Sequence, residues 1–151
     1  MGADELELDD HGKFQVWLMK MGDILERFID HMPPETRLDY TPESLLRLEE
    51  WMLEHYPSVD DLLKESNKET LDALVRYTGQ VYRKNLKGKW TIHLDDPNYA
   101  FFGLPMISFH IPRIDPVAPH SEVMASVHRR RGDYIYTVFK ATERLIEEAK
   151  T

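Results

Sequence analysis

At Gly88 the spacing of the apolar residues changes, and that change restricts the chain to a mixed architecture. Before it, Leu71, Leu74, Val75, Thr78, Val81, Tyr82 and Leu86 recur at three- and four-residue intervals, the stripe of an amphipathic helix. After it, Trp90, Ile92 and Leu94 alternate with Thr91, His93 and Asp95, the two-residue period of a strand with one covered face. The same alternation returns in "MISFHI", where Ile107, Phe109 and Ile111 oppose Ser108 and His110. Because the two periods belong to different backbone conformations, the fold class is α+β.

Upstream, Phe14, Trp17, Leu18, Met21, Leu25, Phe28 and Met32 predict a first helix from Lys13 to about His31. Pro33 and Pro34 end it, since neither can continue the hydrogen-bond ladder. Thr41-Pro42 is a start signal for a second helix, whose inward face is Leu45, Leu48, Trp51, Met52 and Tyr56 and which stops at Pro57. A short helical turn is expected in "SVDDLLKE". Ser66 with Glu69 forms a capping-box pattern for the third helix, and Gly88 is expected to end that helix in the left-handed conformation.

Downstream, "DPN" turns the chain into "YAFFG" and then "MISFHI", which predicts a three-stranded antiparallel meander. Val123, Val127, Tyr134, Ile135, Val138, Phe139, Leu145 and Ile146 predict a closing helix with a kink or break at Gly132. The expected architecture is therefore three N-terminal helices, a meander and a C-terminal helix, packed as two layers. Residues 1–12, acidic and polar, read as a flexible tail, and residues 13–151 as one domain without repeats or linkers.

Composition narrows the functional classes. The absence of cysteine excludes disulfides, iron–sulfur clusters, thiolate zinc sites and cysteine nucleophiles, and leans toward a reducing, cytoplasmic setting. A net charge of −8 repels phosphate backbones, disfavours nucleic acid and favours a basic protein partner. The first residues lack the basic-then-apolar pattern of a secretory leader, and no apolar run has the length of a membrane span. Homo-oligomerisation is left open.

The most distinctive stretch is "YTGQVYRKNLKGKW", residues 77–90. Glycine inside a helix costs roughly 1 kcal/mol against alanine, so Gly79 signals either simple tolerance or a contact too close for a side chain, as where the first strand or a neighbouring helix packs closely. On the helical projection Arg76, Gln80, Arg83 and Lys84 face away from the apolar stripe, which makes Arg76, Tyr77 and Gln80 the candidate partner-contact surface. No phosphate-binding glycine loop is present.

Together with "LDYTPESLLRLEEWM", this stretch resembles a family of small bacterial proteins of unknown function, in which a Tyr-x-Gly-Glu helix leads through Asn-x-x-Gly-x-Trp into a small sheet. Tyr77, Gly79, Asn85, Gly88 and Trp90 match that pattern, and Gln80 stands in place of the acid. The resemblance covers about fifty residues and implies an α+β fold, structural roles for Gly79, Asn85, Gly88 and Trp90, and a toxin-neutralising or regulatory function.

Two further constellations bear on chemistry. If the first and third strands turn Trp90 and Ile107 inward, then His93, Asp95, Ser108 and His110 share the opposite sheet face. Two imidazoles and a carboxylate there, with His120 as a third nitrogen, define the alternative function: a zinc-binding protein or metal-dependent hydrolase using His93, Asp95 and His110. No HExxH, ExxH or HxH spacing accompanies them, and exposed or hydrogen-bonded histidines are the commoner outcome. Serine catalysis lacks a GxSxG turn. Glu49-Glu50, Asp60-Asp61 and Glu147-Glu148 read as solvated helix faces or caps, and the arginines of "HRRRGD" as partners in surface ion pairs. The leading expectation is a non-enzymatic protein-binding or regulatory module without a cofactor.

Overall fold

Two helices, rather than one, fill residues 10–31: α1 (Asp10–Met19) and α2 (Met21–His31) meet at Lys20 in the computed structural model, which describes residues 8–150. Asp9 caps α1 by accepting from the Gly12 amide at 2.7 Å, so residues 10–12 are helix rather than tail. Residues 1–7 of the expected tail lie outside the described residues. The break lets one sequence stripe serve two surfaces. Trp17 of α1 reaches the indole of Trp90, while Met21 and Leu25 of α2 are buried, Met21 with its sulfur 3.9 Å from Arg76 Nη1.

Beyond Pro33 a single 3₁₀ turn (Pro34–Thr36) leads to α3 (Ser44–His55). The Thr41 hydroxyl accepts from the Ser44 amide at 3.2 Å, the capping contact that Thr41-Pro42 predicts. Ser58 caps α4 (Val59–Leu62) in the same way through the Asp61 amide. The capping box expected at Ser66 and Glu69 is not formed. A 3₁₀ turn (Glu65–Asn67) occupies that position, and the Asn67 side chain donates instead to the Asp61 carbonyl at 2.8 Å.

α5 (Lys68–Leu86) follows, and residues 73–82 within it are buried without a break. It packs against α2, against α6 (Pro119–Arg129) and against both strands, while α3 packs on α6 and on α7 (Tyr134–Ala149). The molecule is organised around this one enclosed helix, not as two layers meeting along single faces. Lys87, not Gly88, takes the left-handed conformation at its end, with φ +58°. Gly88 serves packing instead. A β-carbon there would collide with Ile107 Cγ2, so its lack of a side chain admits the second strand.

The sheet is two-stranded, not three. β1 (Lys89–Thr91) pairs antiparallel with β2 (Met106–Ser108), with Trp90 opposite Ile107. "YAFFG" is not a strand: the Tyr99 and Phe102 amides close turns on Asp96 and Tyr99, the Leu104 amide just beyond it closes one on Phe101, and the Gly103 amide alone reaches back to the His93 carbonyl at 3.0 Å. Val117 stands where a third strand would, exchanging both backbone hydrogen bonds with Ile107 at 2.9 and 3.0 Å. The closing helix is divided into α6 and α7 around Gly132, which holds φ +88°, beside Arg130 at φ +54°. Among the described residues no helix is long and apolar enough to cross a membrane.

Candidate binding site

The site is built outward from Gly79. A β-carbon on this residue would overlap Cη2 and Cζ2 of Trp90, so the bare backbone of α5 forms the seat for that indole. The adjacent Gln80 accepts from Trp90 Nε1 at 2.8 Å and locks the ring in the seat. Trp17 then stands edge-on to Trp90, with ring centroids 4.9 Å apart.

Trp17 is held from α5 as well. The Arg76 guanidinium lies 4.1 Å over its ring and donates to its carbonyl oxygen at 2.7 Å. Asp72 ties the two together, accepting from Trp17 Nε1 at 2.8 Å and from Arg76 Nε at 2.6 Å. Both carboxylate oxygens are thereby committed, and the Arg76 charge, buried to 2% exposure, is paired and hydrogen-bonded.

Arg76 and Gln80 therefore do not face away from the core. The helical projection treats α5 alone, whereas α1 and β1 cover the side it leaves bare. Tyr77 is also enclosed: it stacks on Tyr40 at 4.9 Å, accepts from the Tyr40 amide at 2.9 Å and shares a 2.6 Å hydrogen bond with Ser44. Burial pushes its phenol up to about 12, against the opposing effect of those bonds. Asn85 donates to the carbonyls of Tyr40 and Val81, both at 2.8 Å, fastening the loop before α3 to the end of α5.

What this scaffold presents to solvent is Trp17. The ring is half-buried and forms a wall shared by two depressions. One, of about 350 Å³, is lined by Phe14, Ile92, Leu94, Phe102 and Pro105, with Asp10 and Lys13 at its mouth. The other, of about 190 Å³, lies toward Leu71, Val75 and His120. Burial lowers the proton affinity of the His120 imidazole, which favours its neutral form.

The histidine–carboxylate set is arranged differently from the expectation. The strands are three residues long, so their alternation does not extend to positions 93, 95 and 110. His93 Nε2 accepts from the Asp96 amide at 3.3 Å beside the Tyr99 ring; Asp95 is exposed, and His110 is exposed with φ +54°. His120 sits apart, on the Trp17 groove. Among the described residues no group of three or more His, Asp or Glu is placed to hold a metal ion.

Two buried acids stand outside the sequence expectations. Glu49, which reads as part of a solvated pair, is fully buried and accepts from the amides of Tyr134 and Ile135 at 3.0 and 2.9 Å. Glu122 accepts from the Tyr82 hydroxyl at 2.7 Å. Burial pushes its carboxyl up to about 8 despite that bond, and burial likewise raises the Tyr82 phenol. A signal was present for each. Glu49 falls in phase with Leu45, Leu48 and Met52, and Glu122 with Val123, Ser126 and Val127, so both lie within apolar stripes.

The arginine cluster makes only one ion pair among the described residues, Arg131 to Asp133 at 3.2 Å. Arg130 instead donates to the carbonyls of Leu53, Tyr56 and Pro57 at the end of α3, and Arg129 lies over the Tyr134 ring at 5.3 Å. Comparison with protein-family models, with curated proteins and with solved structures finds no match to this chain.

Proposed function

We propose that this protein is a non-enzymatic binding or regulatory module that engages a protein partner at the Trp17 groove. One observation carries this: Trp17 is immobilised by Trp90, Arg76 and Asp72, yet its ring still borders two open depressions. An aromatic anchor fixed in advance loses little entropy on binding, which is why such residues dominate interfaces. Phe102, 36% exposed at the edge of the larger depression, supplies further apolar contact area. The net charge of −8 favours a basic partner, and neutralisation of a basic toxin is the regulatory form such a module would take.

The test is a pull-down from the source cell lysate with the wild-type chain and with Phe102→Asp, a change at an exposed loop position. Recovery of a basic protein by the wild type and its loss with the variant are expected. Recovery of no specific protein, or equal recovery by both chains, would overturn the proposal.

A further inference from the structure

On the side of α5 that faces α2, a third cavity has a different character. It is a cleft of about 700 Å³, within the range of roughly 300–1,000 Å³ typical of small-molecule sites. Its apolar surface comes from Ile24 and Phe28, which lie four residues apart on α2 and are half-buried, and from Ala73 of α5. Arg27 and His31, also four apart, form a polar edge beside that stripe, with His31 Nδ1 committed to the Arg27 carbonyl at 2.7 Å.

The charges on the walls are not equally available. Asp72 lines the cleft, but its two oxygens already hold Arg76 and Trp17. Lys68 is paired at 3.6 Å with Glu65, both side chains largely exposed. Glu69 is the remaining lining carboxylate, while the Arg27 guanidinium makes no ion pair among the described residues. Arg27, exposed and without an ion pair among the described residues, stands beside an apolar floor and suits an anion that carries its own apolar body, its local charge acting against the repulsion of a chain of net charge −8.

We infer that the α2–α5 cleft binds a small amphipathic carboxylate, its aryl or short alkyl body against Ile24, Phe28 and Ala73 and its carboxylate on Arg27. This goes beyond the partner proposal and does not rest on it: the cleft shares Lys68 and Asp72 with the smaller Trp17 depression, but Ile24, Arg27, Phe28 and Ala73, which would hold the ligand, line neither Trp17 depression.

The test is a ¹H–¹⁵N titration of the full chain with 3-phenylpropionate and, separately, with its neutral amide. Saturable shifts at residues 24–31 and 68–73 are expected with the carboxylate, and affinity for the amide should be about tenfold weaker. Arg27→Glu should weaken carboxylate binding by about tenfold or more and leave amide binding unchanged, while Phe102→Asp should affect neither. Absence of saturable shifts at those positions, equal affinity for acid and amide, or unchanged carboxylate binding by Arg27→Glu would overturn the inference.

Discussion

Gly79 and Trp90 occupy complementary space: the indole lies where a β-carbon on the helix would be, and Gln80, the next residue, binds the indole nitrogen. The helix accepts a poor helix former because the alternative is a steric overlap with a ring that cannot retreat. Behind it Trp17 stands edge-on and is itself pinned by Arg76 and Asp72.

Gly79→Ala should therefore destabilise the protein, although alanine is intrinsically the better helix former by about 1 kcal/mol. Overpacking against a fixed indole outweighs that gain, and a net loss of about 2 kcal/mol is expected in urea unfolding. An unchanged or raised midpoint would show that Trp90 can move off its seat.

Arg76→Lys keeps the positive charge but loses the planar group that lies over Trp17 while also donating to Asp72 and to the Trp17 carbonyl. A loss of about 2 kcal/mol is expected, together with a red shift of tryptophan emission as Trp17 loosens. Denaturant melts and steady-state fluorescence on the same sample check both outcomes.

Glu49→Ala removes the carboxylate that accepts from the amides of Tyr134 and Ile135 at the start of α7. Two backbone donors would then be left in or near the core, at an expected cost of about 3 kcal/mol. Hydrogen exchange should accelerate first in the opening turn of α7, and uniform acceleration across the chain would contradict a local capping role.

Glu122 makes stability depend on pH in a defined direction. Its folded carboxyl titrates near 8 against an ordinary value of 4.5, so the folded state holds a proton that the unfolded state has released. The contribution is fully present below about pH 4.5 and is lost as pH rises through about 8. Glu122→Gln keeps an acceptor for the Tyr82 hydroxyl without the charge. Between pH 5 and pH 8.5 the wild type should lose more than about 2 kcal/mol relative to this variant. Parallel pH dependence of the two unfolding midpoints would refute the assignment.

Legibility in the sequence differed by kind of feature. The interruptions at Pro33-Pro34, Pro57 and Gly132 appear where the composition places them, because proline and glycine act on the backbone locally. The cap at Thr41 is equally local. The third strand failed because a five-residue apolar run does not disclose whether its amides point to a neighbour or fold back on themselves. The capping box at Ser66 failed because Ser66 lies inside a 3₁₀ turn and Asn67, not Ser66, takes the position that precedes α5.

By itself the sequence determined the mixed fold class and the main helical stripes, since each follows from periodicity, and it marked Gly79 as a position of either tolerance or close approach. Tertiary structure alone decided that Arg76 and Gln80 are interior, that Glu49 caps a helix 85 residues away and that Glu122 is sealed beside Tyr82. The physical reason is that a helical period reports one face of one element. Which neighbour covers the other face, and whether a buried charge finds a partner there, depends on contacts between residues far apart in the chain.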